Sequence, residues 1–161
     1  MKSSLSVEYA IHSVINLALF PSDINVSVKK LARFMGVTPT YLAKVFTLLT
    51  KSGIVRSSIG TKGGVKLAKA PEDISFYDVF IAINGGGDMF QCSNVRAFMI
   101  GYEPMPGICD VHRTMLDAEE AMFAHLKNVK IIDMVNAVYE KMELGEIEER
   151  IETLREHMKN N

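Results

Sequence analysis

The chain contains no tryptophan and only two cysteines, Cys92 and Cys109, in 161 residues. Two thiols build no disulfide framework, so folding must rest on an apolar core, for which a hydrophobic content of 48% suffices. No segment approaches the roughly eighteen uninterrupted apolar residues of a membrane span. Met1–Leu5 carries one lysine and then polar residues where a secretory leader would carry an apolar run. A cytoplasmic protein without membrane association is expected, its cysteines being a reduced pair or part of a metal-type site. A phosphate-binding loop is missing too, because the run Gly85, Gly86, Gly87 has neither the preceding strand nor the following lysine that such a loop needs. No nucleophile with an ordered base is recognisable, so no enzyme is expected.

Acids are scarce in one half of the chain only. Residues 1–70 hold ten Lys/Arg against two acids, Glu8 and Asp23, for a balance of +8, whereas residues 71–161 hold eight against seventeen, for −9. The net charge of −1 conceals this dipole. A basic half attracts a polyanion and an acidic half repels one, so the partner surface belongs to the N-terminal half.

Helix punctuation gives that half its order. Ser4 to Phe20 places Leu5, Tyr9, Val14, Leu17 and Ala18 at helical spacing until Pro21 stops the run. Ser27 is placed to cap a short helix, Val28 to Phe34, with Gly36 just past its end. Thr38 with Pro39 then opens a third helix that reaches about Lys51 before Gly53. Its apolar stripe of Leu42, Val45, Phe46 and Leu49 leaves Thr40, Ala43, Lys44, Thr47 and Lys51 towards solvent. Ile54–Ser58 and Val65–Lys69 read as strands, joined by a Gly60–Gly64 hairpin loop that carries Lys62.

Further along, Ser75 and Asp78 form a capping box for a helix to Ile83, which the glycine run breaks. One helical turn is expected around Val95–Ile100 in an otherwise irregular segment. Asp110 is expected to cap a long helix through Lys127, where Met115, Met122 and Leu126 with Leu116 and Phe123 give more than one apolar stripe and so call for a partner helix. The tail repeats Ile147, Ile151, Leu154 and Met158 at spacings of four, three and four, a seam too short to favour a coiled coil over packing on the chain or its mate.

Helix, tight turn, helix and hairpin make a winged helix-turn-helix, whose recognition helix places its N-terminal turns at base edges. Thr38, Thr40, Tyr41 and Lys44 occupy those places, with Thr40 and Lys44 as first-choice base contacts. Lys62 at the wing tip is positioned for the minor groove, while Lys51, Arg56 and Lys66 would hold phosphates and fix register.

The chain resembles the Rrf2 family of regulators, the group of IscR, NsrR and CymR. The resemblance is carried by Tyr9 and Ala10, by Tyr41, Leu42, Val45, Phe46, Leu49, Gly53, Ile54 and Val55, by the wing residues Gly60, Gly63, Gly64 and Leu67, and by Tyr77 to Gly86. It implies a homodimer built on the long helix after Asp110, two winged heads gripping a palindromic operator in double-stranded DNA, and often an iron–sulfur cluster as sensor. Two features depart from the family's pattern. Ile59 stands where the wing frequently carries an arginine, and Ala43 and Lys44 replace a glutamate and a glutamine of the recognition helix, so the operator sequence does not transfer.

Cluster-bearing relatives usually show three cysteines at short intervals, whereas sixteen residues separate Cys92 from Cys109 here. A 2Fe–2S cluster needs four ligands, and imidazole or carboxylate can replace thiolate. Glu8 and His12 lie four apart on one helical face, and the resemblance implies that a partner subunit's first helix can approach the cluster loop. The set preferred here is Cys92 and Cys109 of one subunit with Glu8 and His12 of the other. His112, one turn after Cys109, is the alternative ligand; zinc, or no metal, is the alternative to the cluster.

The sequence therefore leads to a mainly α fold with a small β wing, a winged helix-turn-helix plus a long dimerisation helix. Residues 1–84 are the DNA-binding domain, 85–108 the sensor loop and 109–161 the dimerisation and C-terminal helices. The expected function is that of a dimeric DNA-binding repressor which senses redox or nitrosative stress through a 2Fe–2S cluster. A cluster-free regulator controlled by a protein partner or thiol oxidation is the alternative, and an iron–sulfur electron carrier the weaker third.

Overall fold

Proline at 21 and glycines at 36 and 53 cut the N-terminal half into three helices. A computed structural model describes residues 4–22, 24–60, 63–91, 109–141 and 144–159. Helices α1 (Ser4–Leu19), α2 (Val28–Phe34) and α3 (Pro39–Lys51) precede strands β1 (Val55–Ser58) and β2 (Gly64–Leu67), a 3-10 turn at Pro71–Asp73, and α4 (Phe76–Asn84). Then come α5 (Asp110–Asn128), α6 (Ile131–Lys141) and α7 (Leu144–Lys159). The expected turn at Val95–Ile100, like Cys92 and Lys62, lies outside the described residues. Among the described residues no helix is long and apolar enough to cross a membrane.

Two expected caps are made and two are not. Thr38 Oγ1 accepts from the Tyr41 N–H at 3.3 Å, with Pro39 at the first helical position. Ser75 accepts from the Asp78 N–H at 3.1 Å while Asp78 accepts from the Ser75 N–H at 2.8 Å, closing the capping box. Ser27 stands at the start of α2, but its hydroxyl makes no cap bond. Asp110 is not a cap either. Cys109 holds that position, and Asp110 is the first helical residue, where its carboxylate still favours the positive end of the helix dipole.

β1 and β2 pair antiparallel, Val55 opposite Leu67 and Arg56 opposite Lys66. Val26 adds a third rung, exchanging two backbone bonds of 2.9 Å with Val65. Gly64 permits this approach, because a Cβ there would stand 2.7 Å from the Val26 carbonyl oxygen. The strands are shorter than expected, since Ile54 drops into the core and its carbonyl accepts from the Ala68 N–H at 2.9 Å.

The core gathers Ala10, Val14 and Leu17 of α1, Leu31 of α2, the α3 stripe of Leu42, Val45, Phe46 and Leu49, then Val55, Val65, Ile74 and Val79. Leu5, expected on the inner stripe of α1, is 61% exposed. The stripe runs through Ala10 and Val14 instead. Ile131, from far along the chain, is fully buried in the same core, and α6 packs against α1. Two backbone bonds make that return: Phe76 N–H to Val129 O and Ile131 N–H to Ile74 O, both 2.9 Å. The sequence reading passed over α6, whose entry is fixed by Asp133 accepting from the Lys130 N–H at 2.7 Å.

Helix α5 buries no residue within the protomer. His112, Leu116, Glu119, Phe123 and Leu126, spaced four, three, four and three, are half-buried along one stripe, where Phe123 meets Tyr77 and Phe80 of α4 edge to face at 5.1 and 5.8 Å. On another face Val111 is 68% and Met115 42% exposed. In the tail seam Ile151 is half-buried, and the side chains of Ile147, Leu154 and Met158 lie outside the described set.

Candidate nucleic-acid interface and sensor corner

Burial of Leu42, Val45, Phe46 and Leu49 fixes the rotation of α3, and the opposite face follows from it. Thr38, Thr40, Ala43, Lys44, Thr47 and Lys51 are all exposed. Thr38 spends its oxygen on the cap, and the Thr47 hydroxyl donates to the Ala43 carbonyl at 2.9 Å. Tyr41 is half-buried and turned towards α1, its phenol oxygen 2.9 Å from the Ser6 hydroxyl and its ring edge-on to Tyr9 at 5.7 Å. Thr40 and Lys44 are thus the side chains of the first turns best placed to reach outward.

On the wing, Arg56 and Lys66 stand directly opposite each other across the two strands. Like charges in that position repel, and a polyanion lying over them relieves the repulsion. Arg56 is exposed, whereas the Lys66 ammonium donates to the Ser22 carbonyl at 3.1 Å, which holds the wing to the end of α1. A cavity of about 380 Å³ lies beneath, lined by Phe20, Pro21, Arg56, Lys66 and Lys69 among others. Thr38, Thr40, Lys44, Lys51 and Arg56 together form an exposed surface on the half of the chain with charge +8.

The second cluster sits at the start of α5. Cys109 Sγ accepts from the His112 N–H at 3.4 Å, so the thiol and the imidazole share one helical turn. The His112 ring lies edge-on to Phe90 at 5.7 Å, and its Nε2 is buried without a hydrogen-bond partner among the described residues. Burying an unpaired nitrogen costs about 1–3 kcal/mol, and an electrophilic partner such as a metal centre would remove that cost. Glu8 and His12 are both exposed on α1, open to a second subunit. Among the described residues no three of His, Cys, Asp and Glu converge on one point, so a four-ligand set needs donors beyond them, such as Cys92 together with residues of a second chain. With those additions the donor types suit a 2Fe–2S cluster.

Two residues of this corner escaped the sequence reading. Glu119 accepts from the Met89 N–H at 2.9 Å and ties the segment after the glycine run to α5, while Phe90 covers His112. The spacing of Glu119 from His112, seven residues on the inner stripe, is the signal that could have found it. Between α4 and α5 lies a groove of about 710 Å³ bordered by Phe80, Met89, Phe90, Met115 and Met122.

The family model named Rrf2, described as an iron-dependent transcriptional regulator, matches residues 3–137. A putative HTH-type transcriptional regulator, YffB of Lactococcus lactis subsp. lactis, is 32% identical over 155 residues, spanning 96% of this chain and 99% of that protein. The HTH-type transcriptional regulator IscR of Yersinia pseudotuberculosis is 26% identical, over 84% of this chain and 80% of its own length. Among solved structures, T. potens IscR superposes with a TM-score of 0.69 at 22% identity, covering 88% of this chain and 91% of that one. CymR, the global cysteine regulator of B. subtilis, superposes with a TM-score of 0.67 at 19% identity, covering 85% and 98%. These two likenesses show the fold, a winged helix-turn-helix extended by helices.

Proposed function

Because the chain belongs to the Rrf2 family of transcriptional regulators, we propose that it is a homodimeric repressor that grips a palindromic DNA operator with two winged heads and senses redox or nitrosative stress through a 2Fe–2S cluster. It is a regulator and not an enzyme. The observation that carries the DNA reading is the exposed face of α3 with Thr40, Lys44 and Lys51, together with the exposed Arg56 of the wing, on the strongly basic half of the chain. Thr40 and Lys44 read base edges in the major groove, and Lys51, Arg56 and Lys66 fix register on phosphates. Residues 1–84 serve as reading head, 85–108 as sensor segment and 109–161 as dimerisation and C-terminal helices, with α6 returning to brace the head. The exposed Val111 and Met115 on α5 meet the same residues of a second copy across a two-fold axis.

The sensor reading is supported by the buried His112 Nε2, which has no hydrogen-bond partner among the described residues, one turn from Cys109, and by the family's description as iron-dependent. Cys92 and Cys109 would hold the cluster, completed by Glu8 and His12 of the partner subunit, with His112 of the same chain as the alternative ligand in place of one of these. Bound there, the cluster supplies a one-electron redox couple and a ligand set that oxidants can break. The chain's own residues carry the consequence: a change at Cys109 and His112 acts on the first turn of α5 and, through Phe90 and the Met89–Glu119 bond, on the segment that follows α4. Helix α1, with Glu8 and His12, is bonded to α3 through Ser6 and Tyr41. Either route biases the spacing of the two heads.

The test is absorbance and iron and sulfide analysis of protein purified without oxygen, with duplex binding in the oxidised, reduced and metal-free forms. Coloured protein with iron and sulfide whose operator affinity changes with redox state is expected. A colourless, metal-free preparation that still binds its operator sinks the sensor reading and leaves the cluster-free regulator. Absence of salt-dependent duplex binding sinks the regulator reading as a whole.

A further inference from the structure

Ile59 is fully exposed, at 103% of its reference area, directly after β1 where the wing loop begins. The other apolar side chains of the two strands, Val55, Val65 and Leu67, are buried or half-buried. Beside Ile59 the backbone is bare: Gly60 adopts φ 110°, and the Gly63 N–H donates to the Gly60 carbonyl at 2.8 Å. A Cβ on Gly63 would stand 2.5 Å from the Ser58 carbonyl oxygen and 3.0 Å from the Ile59 carbonyl carbon. Backbone therefore lies on backbone between Ser58 and Gly63, and the described part of the loop beside Ile59 is thin. Behind it, Arg56 and Lys66 face each other across the strands. An apolar prow with cationic flanks on a narrow ribbon fits the minor groove of a DNA duplex, about 6 Å wide, and the flanking charges select a polyanion over an apolar protein surface.

We propose that Ile59 acts as a wedge, entering the minor groove and partly unstacking a pyrimidine–purine step beneath each wing. The proposal rests on the DNA-binding reading above. Isoleucine has no hydrogen-bonding group with which to tell bases apart, so what it reads is deformability. TA and CA/TG steps open readily and stiff A-tracts do not. Its branched Cβ leaves few rotamers, so insertion freezes little side-chain freedom.

The full-length protein is used to select duplexes from a random-sequence pool, and the selected duplex is then labelled with 2-aminopurine at the candidate step. Selected sites are expected to carry a flexible step under each wing, and the label to brighten on binding. Ile59→Ala should weaken binding about tenfold and abolish the brightening, while Ile59→Leu retains both. Neither variant should shift the melting temperature, because the side chain touches nothing in the protomer. If Ile59→Ala binds within twofold of wild type, or the selected sites carry A-tracts with a silent label, the wedge is wrong. If the wild type selects no sequence, the DNA-binding reading falls and takes the wedge with it.

Discussion

The Ser6 hydroxyl on α1 lies 2.9 Å from the phenol oxygen of Tyr41 on α3. Helix α1, which carries Glu8 and His12, is therefore bonded to α3 at its third residue.

That bond gives a direct prediction. Tyr41→Phe and Ser6→Ala should each cost about 0.5–1.5 kcal/mol in urea unfolding, and the double variant should cost no more than the worse single one. Additive losses would mean that the two oxygens act independently.

Ile131→Ala should destabilise the head by about 2–5 kcal/mol, although it lies some fifty residues beyond the end of α4 in order-of-magnitude terms. With no tryptophan in the chain, tyrosine fluorescence measured with Tyr77, Tyr102 and Tyr139 replaced by phenylalanine reports head unfolding through Tyr9 and Tyr41. An unchanged midpoint by that signal would show that α6 is not part of the head's cooperative unit.

Gly64→Ala drives a methyl group into the Val26 carbonyl, 2.7 Å away. The Val26–Val65 rung should open, costing about 1–3 kcal/mol and freeing the wing. Hydrogen exchange at the Val26 and Val65 amides reads this locally, and retained protection at both would contradict it.

Iron content separates the two ligand sets. His112→Ala should lower cluster occupancy if the buried Nε2 is a ligand and leave it intact if Glu8 and His12 of the partner subunit complete the site; Glu8→Ala with His12→Ala should do the reverse. The circular dichroism of the apoprotein controls for folding, since a merely structural role of His112 would move that signal along with the iron per protein, whereas loss of a ligand lowers the iron and leaves the signal unchanged.

Salt dependence checks the phosphate contacts. Arg56→Ala and Lys51→Ala should each reduce the slope of log affinity against log salt by about one and weaken all duplexes alike, whereas Lys44→Ala should also relax discrimination among selected sites. A slope unchanged by Arg56→Ala would place the wing away from the backbone.

What the sequence disclosed is what local chemistry decides. The Thr38–Pro39 start, the Ser75–Asp78 box and the Leu42, Val45, Phe46 and Leu49 stripe were legible because each is specified within a turn or two of helix. The cap on α5 was misplaced by one residue because Asp110 is the better acceptor in isolation, yet Cys109 has the extended backbone (φ −70°, ψ 153°) that a cap requires. Helix α6 was missed because its buried face is only Ile131 and Val135, too brief for periodicity to register. The contacts of Phe90 and Glu119 around the sensor corner span more than twenty residues, and distances of that kind are set by the packing of α4 on α5.

Helix α5 is 19 residues long and held towards both ends, to the segment after α4 through the His112–Phe90 ring contact and the Met89–Glu119 bond and to the head through the Val129–Phe76 and Ile131–Ile74 bonds. It has the mechanics of a lever arm: at 1.5 Å per residue it measures about 28 Å, and a tilt of about 5° at one end carries the other about 2.5 Å. Two such arms moving symmetrically would change the reach between heads by about 5 Å against a fixed half-site repeat of about 34 Å. Under the proposed function, a small disturbance at a thiol and an imidazole would thereby be geared up to the scale on which a duplex accepts or refuses a pair of wings.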